Sequence, residues 1–431
     1  LQLTKQDQDG TIMPWTINGL INSLAPSLGY PGLRSLPRAT AQAGVDAINA
    51  LINFNSRPNR YVTLQGRYRY NDRDVTTPPF DATYNVRFDA VPENVPGTVS
   101  HQYDIKRQTF DLNGTVNLTN AGALRVGYTH DAYERHGRGF SDVSENIVRM
   151  SYDLVSHQYL SARARFDHGQ RRGAGFVLEG IDYETGTGGE QPGLRFYDEP
   201  DRDRTRANLV FTVTPAAMAQ VFFSYSMGKE EYMADDSVPP GREFFGLLDA
   251  EVKAWNVGVN LNPNDKVAFG ATFGRDKYET LQNSRNANPP PDASWTDPTR
   301  NWTLNNDEEV NNFNVFMDLF KVGGKADVRV AYDFSDSDNA FVHGGPRVAT
   351  LASLGQSIPL PNVTNTWHRF SADVKYFFAK NVGVGLGYYY EKLDISDFAT
   401  IDTNGSVGFT AATGEPRLEY LGGLVTGYGN R

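Results

Sequence analysis

Cysteine is absent from all 431 residues. That excludes disulfides, thiolate metal sites and covalent haem attachment through a Cys-x-x-Cys-His motif. Long apolar runs are missing as well, so no segment reaches the roughly eighteen residues a transmembrane helix needs. Basic charge is in deficit, with 41 Lys and Arg against 51 Asp and Glu and a formal net charge of -10. Such a balance disfavours a nucleic-acid partner, whose phosphates require a basic face. Hydrophobic residues make up only 39% of the chain, yet it carries 22 Tyr and 25 Phe. Apolar and polar residues must therefore be finely interleaved, and the interleaving carries the fold.

Its rhythm is a regular exchange of short and long connections. Short ones fall at 56–60, 120–122, 156–157, 215–218, 263–265, 322–324 and 380–381. Between them lie polar stretches rich in Gly, Pro and Asp, expected as loops of roughly ten to forty residues. Each segment beside a short turn alternates with period two. Phe110, Leu112, Val116 and Leu118 oppose Thr109, Asp111, Asn113, Thr115 and Asn117. Leu160, Ala162, Ala164 and Phe166 oppose Ser161, Arg163, Arg165 and Asp167, and Val382, Val384, Leu386, Tyr388 and Tyr390 repeat the pattern late in the chain. A period of two marks a strand with one apolar face. The segments look about 10 to 14 residues long, the length of a membrane-crossing strand rather than a soluble one. The opposite face is uniformly charged, which a soluble sandwich seldom sustains over so many hairpins.

The expected fold is all-β: a large antiparallel transmembrane β-barrel with short periplasmic turns and long extracellular loops. About sixteen strands are expected: 1–6, 48–55, 61–70, six hairpins between 102 and 394, and 418–428. Ile48, Ala50, Ile52 and Phe54 read as the lipid face of a descending strand, in preference to a helix over 40–50. Residues 1–431 are expected to form a single barrel domain cut from a longer barrel at both ends, since the first residues already alternate and the last carry no closing aromatic. Tyr68, Tyr70, Tyr128, Tyr133, Tyr225, Tyr278, Tyr332 and Tyr388 are expected in the aromatic girdles at the lipid headgroups.

A family resemblance rests on the opening segment and first hairpin. The stretch LQLTKQDQDGTIMPW is an ascending strand followed by the Met13-Pro14 step. INALINFNSRPNRYVTLQGRYRYNDRD is a descending strand, a Ser56-Arg57-Pro58 turn and an ascending strand ending Tyr68-Arg69-Tyr70-Asn71-Asp72. These resemble the decahaem-associated outer-membrane barrels of the MtrB/PioB type, as does the segment 107–135. The Cys-x-x-Cys often found in that family's amino-terminal region has no counterpart here. The resemblance implies a non-enzymatic sheath in the bacterial outer membrane. A periplasmic multihaem c-type cytochrome would thread its lumen and can hand electrons to an extracellular cytochrome outside. The haem would then be carried by the partner, with none in this chain.

Candidate site residues follow from the inward phase of the strands. Arg67, Arg69, Arg125, Arg163, Arg165 and Arg206 are the lumen arginines expected to contact such a partner. With Arg149 they could equally form a basic ladder in an anion-selective or general diffusion porin, the competing reading. Interleaved Asp111, Asp131, Asp153, Asp167, Asp327 and Asp373 make the surface mixed, more like a protein-docking wall than a filter. Oxygen-rich acidic clusters at 71–74, 198–201, 306–309 and 333–339 read as loops, and such loops can hold Ca²⁺. Asp333, Asp336 and Asp338 are the candidate ligands, although none of the clusters has the spacing of a full calcium loop. The seven histidines are scattered. His130 beside Asp131, and Asp167 beside His168, are sequence neighbours that a strand turns to opposite faces, so neither pair makes a catalytic dyad.

Overall fold

A computed structural model describes residues 1–12, 38–80, 86–87, 91–92, 100, 102–118, 122–136, 139–154, 159–176, 193–196, 200–236, 238, 243–287, 291–345 and 361–397. Among the described residues fifteen strands form one antiparallel sheet, and each pairs with the strands of that sheet before and after it in the chain. They are β1 (Gln2–Gln8), β2 (Ala43–Ser56), β3 (Val62–Val75), β6 (Ile105–Asn117), β7 (Ala123–Arg135), β8 (Phe140–Leu154), β9 (Leu160–Phe176) and β10 (Asp201–Ala216). The series continues with β11 (Ala219–Met233), β12 (Gly246–Asn264), β13 (Val267–Arg285), β14 (Asn301–Val322), β15 (Ala326–Gly344), β16 (Val363–Ala379) and β17 (Val382–Ser396). Two short strands, β4 (Val86–Arg87) and β5 (Val91–Pro92), pair with each other in the connection after β3. This is the meander expected of the barrel, and β2 takes the strand form preferred for 48–54. The sixteenth expected strand, 418–428, lies outside the described residues, as do the turn positions 120–121 and 156–157.

One face of the sheet is apolar and the other charged, and burial runs opposite to that of a soluble protein. Phe110 is 43% and Val148 53% exposed, while Asp131 and Asp153 are only 6% and 4% exposed. Side chains crowd on the concave side of a curved sheet and splay on the convex side. The charged face is therefore the inward one, and the apolar face is left for lipid. Register keeps the two faces distinct from strand to strand. Phe223 stands opposite Phe211 and Val257, which stands opposite Phe273, while Asn256 and Gly274 pair on the inner side. A shift of one residue would invert every side chain of a strand, so the lipid requirement fixes the register.

Three features depart from the expectation. From β8 onward the strands are longer, running from 15 residues in β8 to 22 in β14. The 136–139 connection between β7 and β8 is therefore short, although it lies on the long-loop rim. The acidic clusters 71–74, 306–309 and 333–339 lie within β3, β14 and β15 rather than in loops. Above the lipid band both faces of a strand meet water, so charged residues continue the ladder without breaking it. Tyr133 and Tyr278 also depart from the girdle. They share the inward phase of Asp131 and Asp276, whereas Tyr68, Tyr70, Tyr128, Tyr225, Tyr332 and Tyr388 take the outward one.

The short rim is built from tight turns. Between β14 and β15 the chain reverses over 323–325, with φ of +57° and +77° at Gly323 and Gly324, values that favour residues without a Cβ. On the opposite rim two 3-10 turns, Ala293–Thr296 and Pro298–Arg300, fill the connection from β13 to β14. Asp297 caps the second, accepting from the Thr299 hydroxyl at 2.6 Å and its backbone N–H at 2.9 Å. Those bonds hold the Asp297 carboxyl below its ordinary pKa. A small core sits nearby. Arg195 is wholly buried, pairs with Asp235 at 2.8 Å and stacks over the Phe176 ring at 3.5 Å, with Phe140 packed against Phe176.

Candidate functional site

At the level of the lipid band, ionisable side chains among the described residues converge on the inward face, and cross-strand register decides which of them meet. In antiparallel strands, directly opposed and diagonal residues of one face lie within reach of long side chains. Thr109 stands opposite Asp131, and Arg107 lies one step further on the same face. Asp131 accepts two bonds from Arg107, at 3.0 and 2.7 Å, one from Thr109 at 2.8 Å and one from Tyr133 at 2.7 Å. Four donors on one buried carboxylate fix its charge and leave it no free lone pair for chemistry.

The six candidate arginines all lie on this face, and the strands bring most of them to carboxylates. Arg125 and Arg163 both bind Asp153 from the strands on either side of it. Arg69 approaches Asp111 at 3.6 Å, Arg165 lies 3.4 Å from Asp167, and Arg206 meets Glu230 at 2.9 Å. Arg67 donates to Asn53 at 3.2 Å and has no carboxylate partner among the described residues. The pairs share a polarity. In each, the carboxylate side chain is largely covered while the guanidinium is about half exposed, for example 5% for Asp153 against 61% for Arg163. The exposed edge is therefore cationic, and an arginine with one edge engaged keeps N–H donors for a second acceptor.

Sequence reasoning missed a further set higher on the same face. Arg202 bridges Glu145 at 2.9 Å and Glu230 at 3.0 Å, and Arg204 lies 3.5 Å from Glu145. Tyr232 donates to Glu230 at 2.8 Å. The phase of Arg202 and Arg204 was readable from their even spacing with Arg206, a signal masked by the adjoining Asp201 and Asp203.

Asp333, Asp336 and Asp338 do not form one ligand set. Asp333 faces inward and accepts from Asn314 at 2.6 Å, while Asp336 and Asp338 face outward, binding Thr366 at 2.8 Å and Asn362 at 2.7 Å. Among the described residues no group of three or more acidic or histidine side chains is placed to hold a metal ion. His130 contacts Asn146 at 2.9 Å while Asp131 holds Arg107, so that neighbouring pair is split between the faces. His168 contacts Thr205 at 3.0 Å, away from Asp167. His101 and His157 lie outside the described residues.

Between the charged stretches the inward face is lined by small residues with two rings laid flat. Phe222 lies over Gly258 and Phe316 over Gly270, each glycine directly opposite the aromatic in the ladder. A Cβ at either glycine would occupy ring space, so these positions let a phenylalanine line the wall without projecting from it.

A large antiparallel sheet with a lipid-facing apolar side and a charged inner side defines an outer-membrane β-barrel, and the protein resides in the outer membrane. The family model described as outer membrane beta-barrel porin, MtrB/PioB, matches residues 1–425, and the chain belongs to that family. A curated relative, outer membrane protein MtrB of Shewanella baltica (strain OS185), is 24% identical over 265 residues. That match covers 61% of this chain and 35% of the relative, so the chain spans about a third of its length. Among solved structures, the FrpB iron transporter of Neisseria meningitidis (F3-3 variant) aligns over 82% of this chain and 60% of its own at 10% identity, with a TM-score of 0.36. A loop-deletion mutant of OmpT from Vibrio cholerae aligns over 83% of this chain and 94% of its own at 11% identity, with a TM-score of 0.27. At those scores the likeness carries no weight for the fold, which rests on the strands themselves.

Proposed function

We propose that this chain is the wall of an electron conduit, a barrel that sheathes a multihaem c-type cytochrome across the outer membrane. The observation that carries the reading is the inward face: buried carboxylates pin arginines whose free edges point into the lumen. Such a surface is ordered before any partner arrives, which lowers the side-chain entropy lost on docking. It offers charge-assisted hydrogen bonds to a folded protein, while the apolar face keeps that protein out of hydrocarbon. Redox chemistry belongs to the partner's haems, and the wall supplies position and insulation. An extracellular cytochrome at the long-loop rim would receive or deliver the electrons.

The test is a visible absorption spectrum of the protein purified in mild detergent from its native membrane. A Soret band migrating with this chain is the expected result. A colourless preparation that conducts ions in planar bilayers would instead establish a diffusion porin. The exposed arginine edges favour that second reading for small anions. Reversing Arg67, Arg69 and Arg125 to Glu should weaken cytochrome co-purification without unfolding the barrel, and unchanged co-purification would remove these residues from the interface.

A further inference from the structure

Charge on the inward face is not evenly mixed around the sheet. On β3–β9 the inward carboxylates among the described residues are Asp111, Asp131, Glu145, Asp153 and Asp167. They are outnumbered by arginines, since Arg73, Arg107, Arg149 and Arg171 share that face with the five candidates there. On β13–β17 the balance reverses. The lower inward positions carry Asp276, Asp318, Asp327, Asp333, Asp373 and Glu391 against Arg329, Arg369 and Lys375. Of the strands between them, β10 and β11 carry Arg202, Arg204, Arg206 and Glu230 toward the long-loop rim, and below these the inward residues are uncharged, among them Thr212, Ser224, Ser226, Asn256, Gly258 and Asn260.

Partner choice within each sector preserves the difference. In the first, carboxylates are covered by guanidinium groups that remain half exposed. In the second, several carboxylates are held by neutral donors that leave their charge intact. Asn312 donates to Asp276 at 3.1 Å, Asn314 to Asp333 at 2.6 Å and the Lys321 backbone N–H to Asp327 at 2.9 Å. Screening in free solution extends over about 8 Å, and a lumen with low-dielectric walls screens less.

We infer that the wall is electrically divided, and that its occupant is a folded protein with an acidic face set against β3–β9 and a basic face set against β13–β17. This rests on the sheath reading and adds a rotational setting to it: turning the occupant by half a revolution would place like charges together, which disfavours that orientation. A cytochrome so held presents the same haem edge to the extracellular rim in every complex.

The experiment places a photo-crosslinking benzoylphenylalanine at Asn113 in the basic sector, or at Ser371 in the acidic one, in the full chain in its native membrane. Both residues take the inward phase. Peptides of the haem-bearing partner captured by each are identified by mass spectrometry. The division predicts two non-overlapping sets, rich in Asp and Glu from position 113 and in Lys and Arg from position 371. The same peptides from both positions, or sets of equal charge, would overturn the inference and leave the sheath intact. If the unmodified protein yields no haem partner at all, the sheath reading falls and this inference with it.

Discussion

Replacing Asp131 with alanine probes whether the inward charges are structural. The carboxylate anchors Arg107, Thr109 and Tyr133 across β6 and β7, and Thr109 is itself only 5% exposed. A hydrogen bond to a charged group contributes about 1.5–3 kcal/mol net, but Arg107 is half exposed, so its share falls to about 1 kcal/mol. The Thr109 hydroxyl, buried without its acceptor, costs a further 1–3 kcal/mol or about that. Tyr133 adds a smaller loss, and the whole comes to about 3 kcal/mol, roughly a hundredfold in the unfolding equilibrium. Urea titration in detergent, read by the gel mobility of folded and unfolded barrel, measures it. Adding Thr109→Val to Asp131→Ala should recover about 1 kcal/mol, because removing both partners spares the buried hydroxyl. Asp394→Ala on the outward face, whose pair with Lys392 is 56% exposed on both sides, should leave the midpoint unchanged. Equal midpoints for Asp131→Ala and Asp394→Ala would refute the claim that the inner network supports the wall.

Other outcomes follow from the same geometry. Val257→Arg, on the lipid side between Phe223 and Phe273, should cost about 2–4 kcal/mol in vesicle-refolding titrations, whereas Asn256→Arg next to it should cost far less. Gly258→Val would drive the Phe222 ring off the wall, and should lower single-channel conductance or haem loading while leaving the strand content by circular dichroism unchanged. Arg195→Ala leaves Asp235 buried without its guanidinium, a loss of about 3–5 kcal/mol confined to the long-loop rim, seen as faster proteolysis around 193–196 with the strands intact. The lowered carboxyl of Asp297 contributes fully to its turn above the unfolded value of about 3.9 and loses that contribution as pH falls through the folded value, so the 291–300 segment should be resistant to protease at about pH 5 and become progressively more sensitive as pH is lowered beneath the unfolded value.

Strand phase was legible in the sequence because lipid imposes it. Phe110, Leu112 and Val116 cannot share a face with Asp111 and Asn113, so the period of two survives wherever hydrocarbon touches the chain. Strand length was not legible, because that constraint stops at the headgroups. Residues 306–309 and 335–339 are polar on both faces and look like loops, yet ladder hydrogen bonds carry β14 and β15 straight through them. Tyr133 and Tyr278 were drawn to the girdle by their residue type, while their odd or even position already put them inside. The candidate arginines were found by phase alone. Their partners were not, since which aspartate meets Arg163 depends on the register of β8 against β9, which sets Asp153 directly opposite it.

The longest strands make the wall a spacer. A strand rises about 3.3 Å per residue and tilts by about 40°, so the 22 residues of β14 climb roughly 55 Å, against an apolar band about 25 Å tall. Some 30 Å or about that height stands clear of hydrocarbon, faced outside by charge pairs such as Lys277 with Glu279 and Asp307. The long-loop rim is thereby lifted through the headgroup layer, and the barrel sets, like a ruler, how far from the lipid its mouth opens.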